Sequence, residues 1–212
     1  MIKLYHCANA RSFRALWTLE ELGLPYELVQ MPFPPRFRQE GYLDLNPMGT
    51  VPTFFDGDML MTESAAIVQY LVTRYGPTPL AVAPDEPAYG TYLNFLMMAE
   101  ATLTFPQTVY LRYTFLEPDE RKLPQAAADY TQWFASRFKA AATLMGPDYA
   151  CAGRFTAADI SLGYTVKLAN AIGLAATVPP AAQAYWERLR DRPALQRAEG
   201  KEKSEAVIFL KK

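Results

Sequence analysis

The stretch IKLYHCANARSFRALWTLEELGLPYELV, residues 2–29, decides the fold. Ile2 to Tyr5 has the character of a short strand. From Ser12 onward, Phe13, Leu16, Trp17, Leu19 and Leu22 recur at helical spacing until Gly23 stops the pattern. Pro25 to Val29 then reads as a second strand. Two strands separated by one helix pair most simply in parallel, with a right-handed crossover, so the chain opens on a βαβ unit.

Working outward, Met31-Pro-Phe-Pro-Pro35 excludes regular helix and central strand, and Arg36 to Leu45 reads as a short irregular helix. Thr53-Phe54-Phe55 and Met59-Leu60-Met61 flank Asp56-Gly57-Asp58, and an Asp-Gly pair between apolar runs marks a hairpin. Ile67, Tyr70, Leu71 and Tyr75 form one face of a further helix that ends at Gly76-Pro77. Residues 1–76 thus read as a small α+β domain of order β-α-β-(α)-β-β-α. Residues 77–87 hold Pro77, Pro79, Pro84 and Pro87, a stiff linker. Residues 88–212 read as an all-helical domain, giving a two-domain chain with Val207-Ile208-Phe209-Leu210 its only strand-like run after the linker. Pro106 interrupts the first long helical stretch, so a kink or break is expected near Phe105. Thr156-Ala-Ala-Asp159 has the spacing of a capping box, with Asp in the third position.

Composition narrows the function. Among 212 residues, 21 Lys+Arg against 22 Asp+Glu leave a formal charge of −1, and half the residues are hydrophobic. This argues against disorder and against nucleic acid as a partner. No apolar run approaches the roughly 20 residues of a membrane span, and the N-terminus lacks a signal peptide's apolar core, so a cytoplasmic location without a membrane partner is expected. Cys7, Cys151 and the single His6 do not make a four-ligand metal set, and no metal is expected; two free thiols are. GxGxxG, P-loop, GxSxG and HExxH motifs are all absent.

Chemistry-bearing residues concentrate in three places. Asn46 to Gly49 is a turn by composition; a cis Val51-Pro52 bond after it would turn the Val51 backbone outward for an extended peptide. Thr62-Glu63-Ser64 precedes a helix, with Thr62 a plausible N-cap; the same place suits an amino-acid head group, whose carboxylate meets the Ser64 hydroxyl and helix amides while Glu63 pairs with the ammonium. The loop from Cys7 to Ser12 follows the first strand, where Ser12 is a natural N-cap, Cys7 an ordinary small apolar side chain, His6 a structural residue, and Arg11 and Arg14 sources of positive potential or members of an exposed helix face.

Taken together, Asn46-Pro47-Met48-Gly49-Thr50-Val51-Pro52 and Glu63-Ser64-Ala65-Ala66-Ile67 make the chain resemble the cytosolic glutathione transferase superfamily, bacterial and beta-like or unassigned in class. Leu19 to Glu27 and Phe155 to Ile160 extend the resemblance over most of the chain. It implies a thioredoxin-like domain followed by a helical domain, glutathione as co-substrate, an apolar electrophile as acceptor, detoxification chemistry and a homodimer, with Met48, Met59 and Met61 candidates for its face. By the same resemblance Val51 and Pro52 meet the cysteinyl part of glutathione, Glu63 and Ser64 its γ-glutamyl head, and Arg36 or Arg38 its glycyl carboxylate.

The residue that stabilises the thiolate stays open: ungapped counting sets Asn9 opposite the usual serine and Cys7 opposite the omega-class cysteine, Ser12 lies near the beta-like position, and Tyr5 is close by. A histidine that the beta class carries near Thr102 is absent. Phe105, Tyr110 and Tyr113 are the expected walls of an acceptor pocket between the domains. Conjugation is the first reading; thiol-disulfide exchange through Cys7, ether cleavage, isomerisation and a non-enzymatic scaffold are the alternatives.

Overall fold

The computed structural model describes residues 1–202, which form two compact units. The run Val207 to Leu210 lies outside the described residues.

The first unit comprises Met1–Ala81 together with the described residues from Arg190 on, residues 190–202. Its sheet has the order β2-β1-β3-β4, with β1 Ile2–His6, β2 Tyr26–Gln30, β3 Thr53–Asp56 and β4 Met59–Met61. β1 runs parallel to β2 from Ile2↔Tyr26 to His6↔Gln30, and antiparallel to β3 from Ile2↔Asp56 to Tyr5↔Thr53. β3 and β4 are the expected hairpin, with Phe55 opposite Leu60. The βαβ crossover is α1, Ser12–Leu22, closed by Gly23 in the left-handed region at φ 61°. Two short helices, α2 Pro35–Arg38 and α3 Tyr42–Leu45, occupy the irregular segment, and α4 Ser64–Arg74 follows the hairpin.

Two expected caps are not made. α1 starts at Ser12 with Arg11 in the cap position, and α4 starts at Ser64 with Glu63 there; neither cap side chain bonds a first-turn amide. Ser12 and Thr62 are therefore not the N-caps, and the Ser12 hydroxyl is used elsewhere.

The second unit, Val82–Leu189, is helical: α5 Tyr89–Met98, α6 Phe105–Leu111, α7 Pro124–Ala142, α8 Ala157–Ala171 and α9, Pro180–Arg190, whose last residue falls to the first unit. Near Phe105, where a kink or break is expected, the helix is distorted but not interrupted. Ala99–Thr104 instead adopts the wider π spacing, in which the Phe105 N–H bonds the Glu100 carbonyl, and the helix continues through the proline into a second π segment at Arg112–Leu116. Proline lacks an N–H and clashes with the carbonyl four residues back, and a π turn shifts the pairing by one residue. Side chains serve the loosened carbonyls: Thr104 and Thr165 hydroxyls donate to Ala99, and the Gln107 amide donates to Leu103 and Thr165. The capping box at the start of α8 is present, its Thr156 and Asp159 bonding reciprocally. No helix among the described residues is long and apolar enough to cross a membrane.

The last described helix, α10 Pro193–Lys201, falls in the stretch expected to belong to the helical domain but packs on α1 of the first unit. It is held by charge. Glu20, nearly buried, accepts from Arg197 Nε at 2.9 Å, from Lys201 Nζ and from the Tyr26 hydroxyl, while Glu21 takes a forked pair from Arg192 at 2.7 and 2.8 Å. Burial pushes the Glu20 carboxyl up, but its bonds to Lys201, Tyr26 and Arg197 outweigh that and hold it below the ordinary range. A depressed folded-state pKa contributes stability above the unfolded value, which is lost as pH falls through the folded one. Glu20→Gln is accordingly expected to lower Tm at pH 7 by about 2–4 °C, roughly 1 kcal/mol after allowing for solvent screening of the half-exposed cations. The gap between variant and wild type should close on acidification, as followed by thermal melts from pH 7 to 3.

Candidate functional site

The loop between β1 and α1 is tightly wired. Ala10 N–H bonds the Cys7 carbonyl at 3.1 Å, Phe13 N–H bonds Ala10 at 2.9 Å, and Asn9 sits in the left-handed region at φ 56°. Asn tolerates that conformation better than most residues because its short polar side chain bonds locally. The alternation of β1 sends His6 to the buried face with Ile2 and Leu4, and leaves Tyr5 half-buried against the Phe55 ring, with centroids 6.3 Å apart.

Of the three thiolate-stabilising candidates, Cys7 and Ser12 are fully buried and Asn9 is half-exposed. The Cys7 thiol points at the Pro32 carbonyl at 3.7 Å, and burial pushes it up to about 12. The Ser12 Oγ lies 2.8 Å from His6 Nδ1 and accepts the Cys7 N–H at 3.3 Å.

Val51 joins this region through the core. Cys7, Met31, Tyr42 and Val51 form one buried cluster, with Tyr5 packed against it. Val51-Pro52 is cis, and Val51 precedes the paired part of β3, whose register begins at Thr53. Asn46, read in sequence as a turn former, is fully buried and organises this segment. Its amide donates to the Thr50 carbonyl and Thr53 Oγ1, both at 2.9 Å, while its Oδ1 accepts the Met48 N–H at 3.0 Å. Tyr42 adds a bond from its hydroxyl to Thr50 at 2.6 Å. Gly49, at φ 62°, has its own constraint: a Cβ there would come within 3.0 Å of Arg36 Cβ and Leu43 Cδ2. Arg36 is thereby set beside the turn. Arg38 is exposed on the same short helix.

At the start of α4, Glu63 is exposed and Ser64 nearly buried. Arg14, from the middle of α1, is fully buried and donates from Nη1 to Ser64 Oγ at 3.1 Å. It is thus not on an exposed helix face. Arg14 was not singled out for this place, and the signal was weak: its position in the helical pattern differs from that of a surface arginine only once α4 packs on α1.

In the helical unit Tyr110 and Tyr113 line a cavity of about 630 Å3 with Lys122, Ala127, Thr131 and Gln132. Phe105 is not among its walls. It borders a separate cavity of about 330 Å3 with Tyr130, Trp133 and Arg137. No group of His, Cys, Asp and Glu suited to a metal occurs among the described residues.

Residues 1–73 match the family described as Glutathione S-transferase, N-terminal domain. Glutathione S-transferase GstB of Escherichia coli strain K12 is 30% identical over 208 residues, covering 93% of this chain and 97% of that protein. The chain belongs to the glutathione S-transferase family. Its first unit is the thioredoxin-like domain of that family. The theta class glutathione S-transferase from Xanthomonas axonopodis pv. citri, solved with glutathione bound, superposes with a TM-score of 0.76 at 28% identity, covering 93% of this chain and 96% of that one. Glutathione S-transferase 3 of Schizosaccharomyces pombe is 36% identical over 103 residues, 49% of this chain, and the match spans 43% of that relative's length.

The buried state of both cysteines has a direct readout. Burial raises Cys7 and Cys151 alike, and the thiolate is the reactive form. A thiol-specific reagent at pH 8 is expected to modify the native protein at least about 100-fold more slowly than the denatured chain, followed as released chromophore; rapid labelling of the native protein, traced by peptide mass to Cys7 or Cys151, would show that thiol to be accessible.

Proposed function

We propose that the protein is a glutathione transferase: it binds glutathione on the first unit, favours the thiolate, and directs it at an electrophilic carbon of an apolar acceptor. The observation that carries this reading is the start of α4, where Arg14 donates to Ser64 beside exposed Glu63. That bond uses the Ser64 oxygen as acceptor, so the Ser64 proton is left for an anion. First-turn amides of α4 and the buried guanidinium add positive potential at the same place, and Glu63 supplies the counter-charge for an ammonium. A carboxylate and an ammonium on one carbon are the α-amino-acid head of the γ-glutamyl group. The glutathione-bound Xanthomonas relative supports the same ligand.

The rest of the tripeptide follows in this reading. The Val51 backbone before β3 pairs with the cysteinyl residue, with Pro52 setting its direction, and Arg36, seated beside Gly49, meets the glycyl carboxylate. Arg38 is the alternative there. Asn9 is the thiolate donor in this reading, because Cys7 and Ser12 are buried whereas Asn9 is only partly so and its side-chain amide donates; the half-buried Tyr5 hydroxyl is the alternative. The thiol proton leaves to solvent, the sulfur lone pair forms the carbon–sulfur bond, and the acceptor's leaving group departs with its electron pair. The cavity at Tyr110 and Tyr113 is the proposed seat of the apolar acceptor. Exchange through Cys7 is disfavoured, since a mixed disulfide needs an accessible thiolate and that thiol is buried and neutral.

One hydrogen bond to an anion contributes roughly 1.5–3 kcal/mol, which corresponds to about 1–2 pH units in the ionisation of bound glutathione. Asn9→Ala should raise the thiol pKa by that amount, read from thiolate ultraviolet absorbance against pH, with little loss of affinity. Glu63→Gln and Ser64→Ala should each weaken glutathione binding by about tenfold, on the order of 1.4 kcal/mol, in calorimetric titration. A wild type that binds no glutathione, or variants with unchanged affinity, would refute the assignment.

A further inference from the structure

The C-terminal end of α10 brings one more charged group to the β1–α1 loop. Glu202, one residue beyond the helix, accepts the Asn9 N–H on Oε1 at 2.8 Å, and the same oxygen stands 3.3 Å from His6 Nε2. His6 is fully buried, and its Nε2 has no hydrogen-bond partner among the described residues, so this carboxylate is its electrostatic neighbour rather than an aligned acceptor. The opposite ring nitrogen lies 2.8 Å from Ser12 Oγ.

The carboxylate beside Nε2 favours one direction for the protons along this path, although the Ser12 Oγ also lies 3.5 Å from the Cys7 carbonyl. An ionised carboxylate only accepts, so a lone pair on Nε2 facing it would be repelled and the proton belongs on that nitrogen. Nδ1 is then an acceptor, the Ser12 hydroxyl donates to it, and Ser12 Oγ accepts from the Cys7 N–H at 3.3 Å. One carboxylate thereby orders both ends of the loop: directly at Asn9, and through the imidazole at Ser12.

We propose that Glu202 is a positioning residue for the thiolate-stabilising loop, anchoring the Asn9 backbone and holding His6 in the tautomer that engages Ser12. The proposal rests on the reading that this loop receives the glutathione sulfur. It assigns Ser12 an inward, organising hydroxyl, and it makes the orientation of the Asn9 side chain depend on a residue 193 positions away in the chain.

The chain holds a single histidine, so its ring nitrogens are assignable without ambiguity. In nitrogen–proton correlation spectra of the glutathione-free protein, wild-type His6 should show the Nε2-protonated tautomer, and Glu202→Ala should shift it toward a mixture. In the same variant the pKa of bound glutathione should rise by about one unit, while its dissociation constant changes by no more than about threefold because Glu63 and Ser64 are untouched. Glu202→Gln keeps the shape and an acceptor for the Asn9 N–H but removes the charge facing Nε2, so it should also move His6 toward a tautomer mixture while leaving glutathione affinity within about threefold, and it carries the test if the alanine variant does not fold. An unchanged His6 spectrum, or an unchanged thiol pKa in a variant that still binds glutathione, overturns the proposal. A wild type that binds no glutathione overturns instead the functional reading beneath it; the histidine spectrum, taken without glutathione, tells the two failures apart.

Discussion

The buried carboxylate of Glu20 is the constraint on which the first unit depends. It accepts from Tyr26 after the crossover and from Arg197 and Lys201 near the chain's end, so one anion joins α1, β2 and α10. Apolar contact alone would not seat α10. Its buried apolar side chains are only Ala194, Leu195 and Ala198, two of them alanines with little area to bury. Paired charge at Glu20 and Glu21 supplies the register, and that register delivers Glu202 to the loop after β1.

This also explains what the sequence did not disclose. The apolar positions of α1 describe a stripe facing one side, yet Ser12 through Glu20 are all buried, including Arg14, Thr18 and Glu20. The stripe was legible because sheet and helix pack by area; the polar side was not, because it is covered by α4 and α10, and nothing in the local pattern of Thr-Leu-Glu-Glu announces a partner some 170 residues away. The hairpin, the βαβ crossover and the Thr156–Asp159 capping box were readable for the opposite reason. The hairpin and the capping box are each decided by residues within a few positions of one another, and the crossover by a strand, a helix and a strand that follow one another directly in the chain.

Proline and hydroxyl residues mark the boundary between these cases. Pro106 removes a donor, as its chemistry requires, but whether a helix breaks or widens depends on who serves the freed carbonyls. Here the helix widens ahead of the proline, where Thr104 and Thr165, the latter far along the chain, both donate to the Ala99 carbonyl. Ser12 and Thr62 stand where caps are expected, and both expectations fail because Arg11 and Glu63 take the cap positions without a side-chain bond. Asn46 shows the converse: its type marked a turn correctly, while its buried amide, wiring Thr50 and Thr53, places the backbone around Val51.

The two serines at the heart of the site differ by what stands behind them. Ser64 has a guanidinium behind it, which can only donate, so the hydroxyl oxygen is consumed as an acceptor and its proton is left to serve a ligand. Ser12 has an imidazole nitrogen behind it, turned into an acceptor by a carboxylate on the far side of the ring, so its proton is drawn inward. The same side chain therefore takes opposite roles according to the sign of one buried charge: Arg14 turns the first outward, and Glu202, acting through His6, turns the second in. Ser12 is thus committed inward and the Cys7 thiol is buried and neutral, which is why the proposed thiolate donor is sought at the partly exposed Asn9 rather than at either of them.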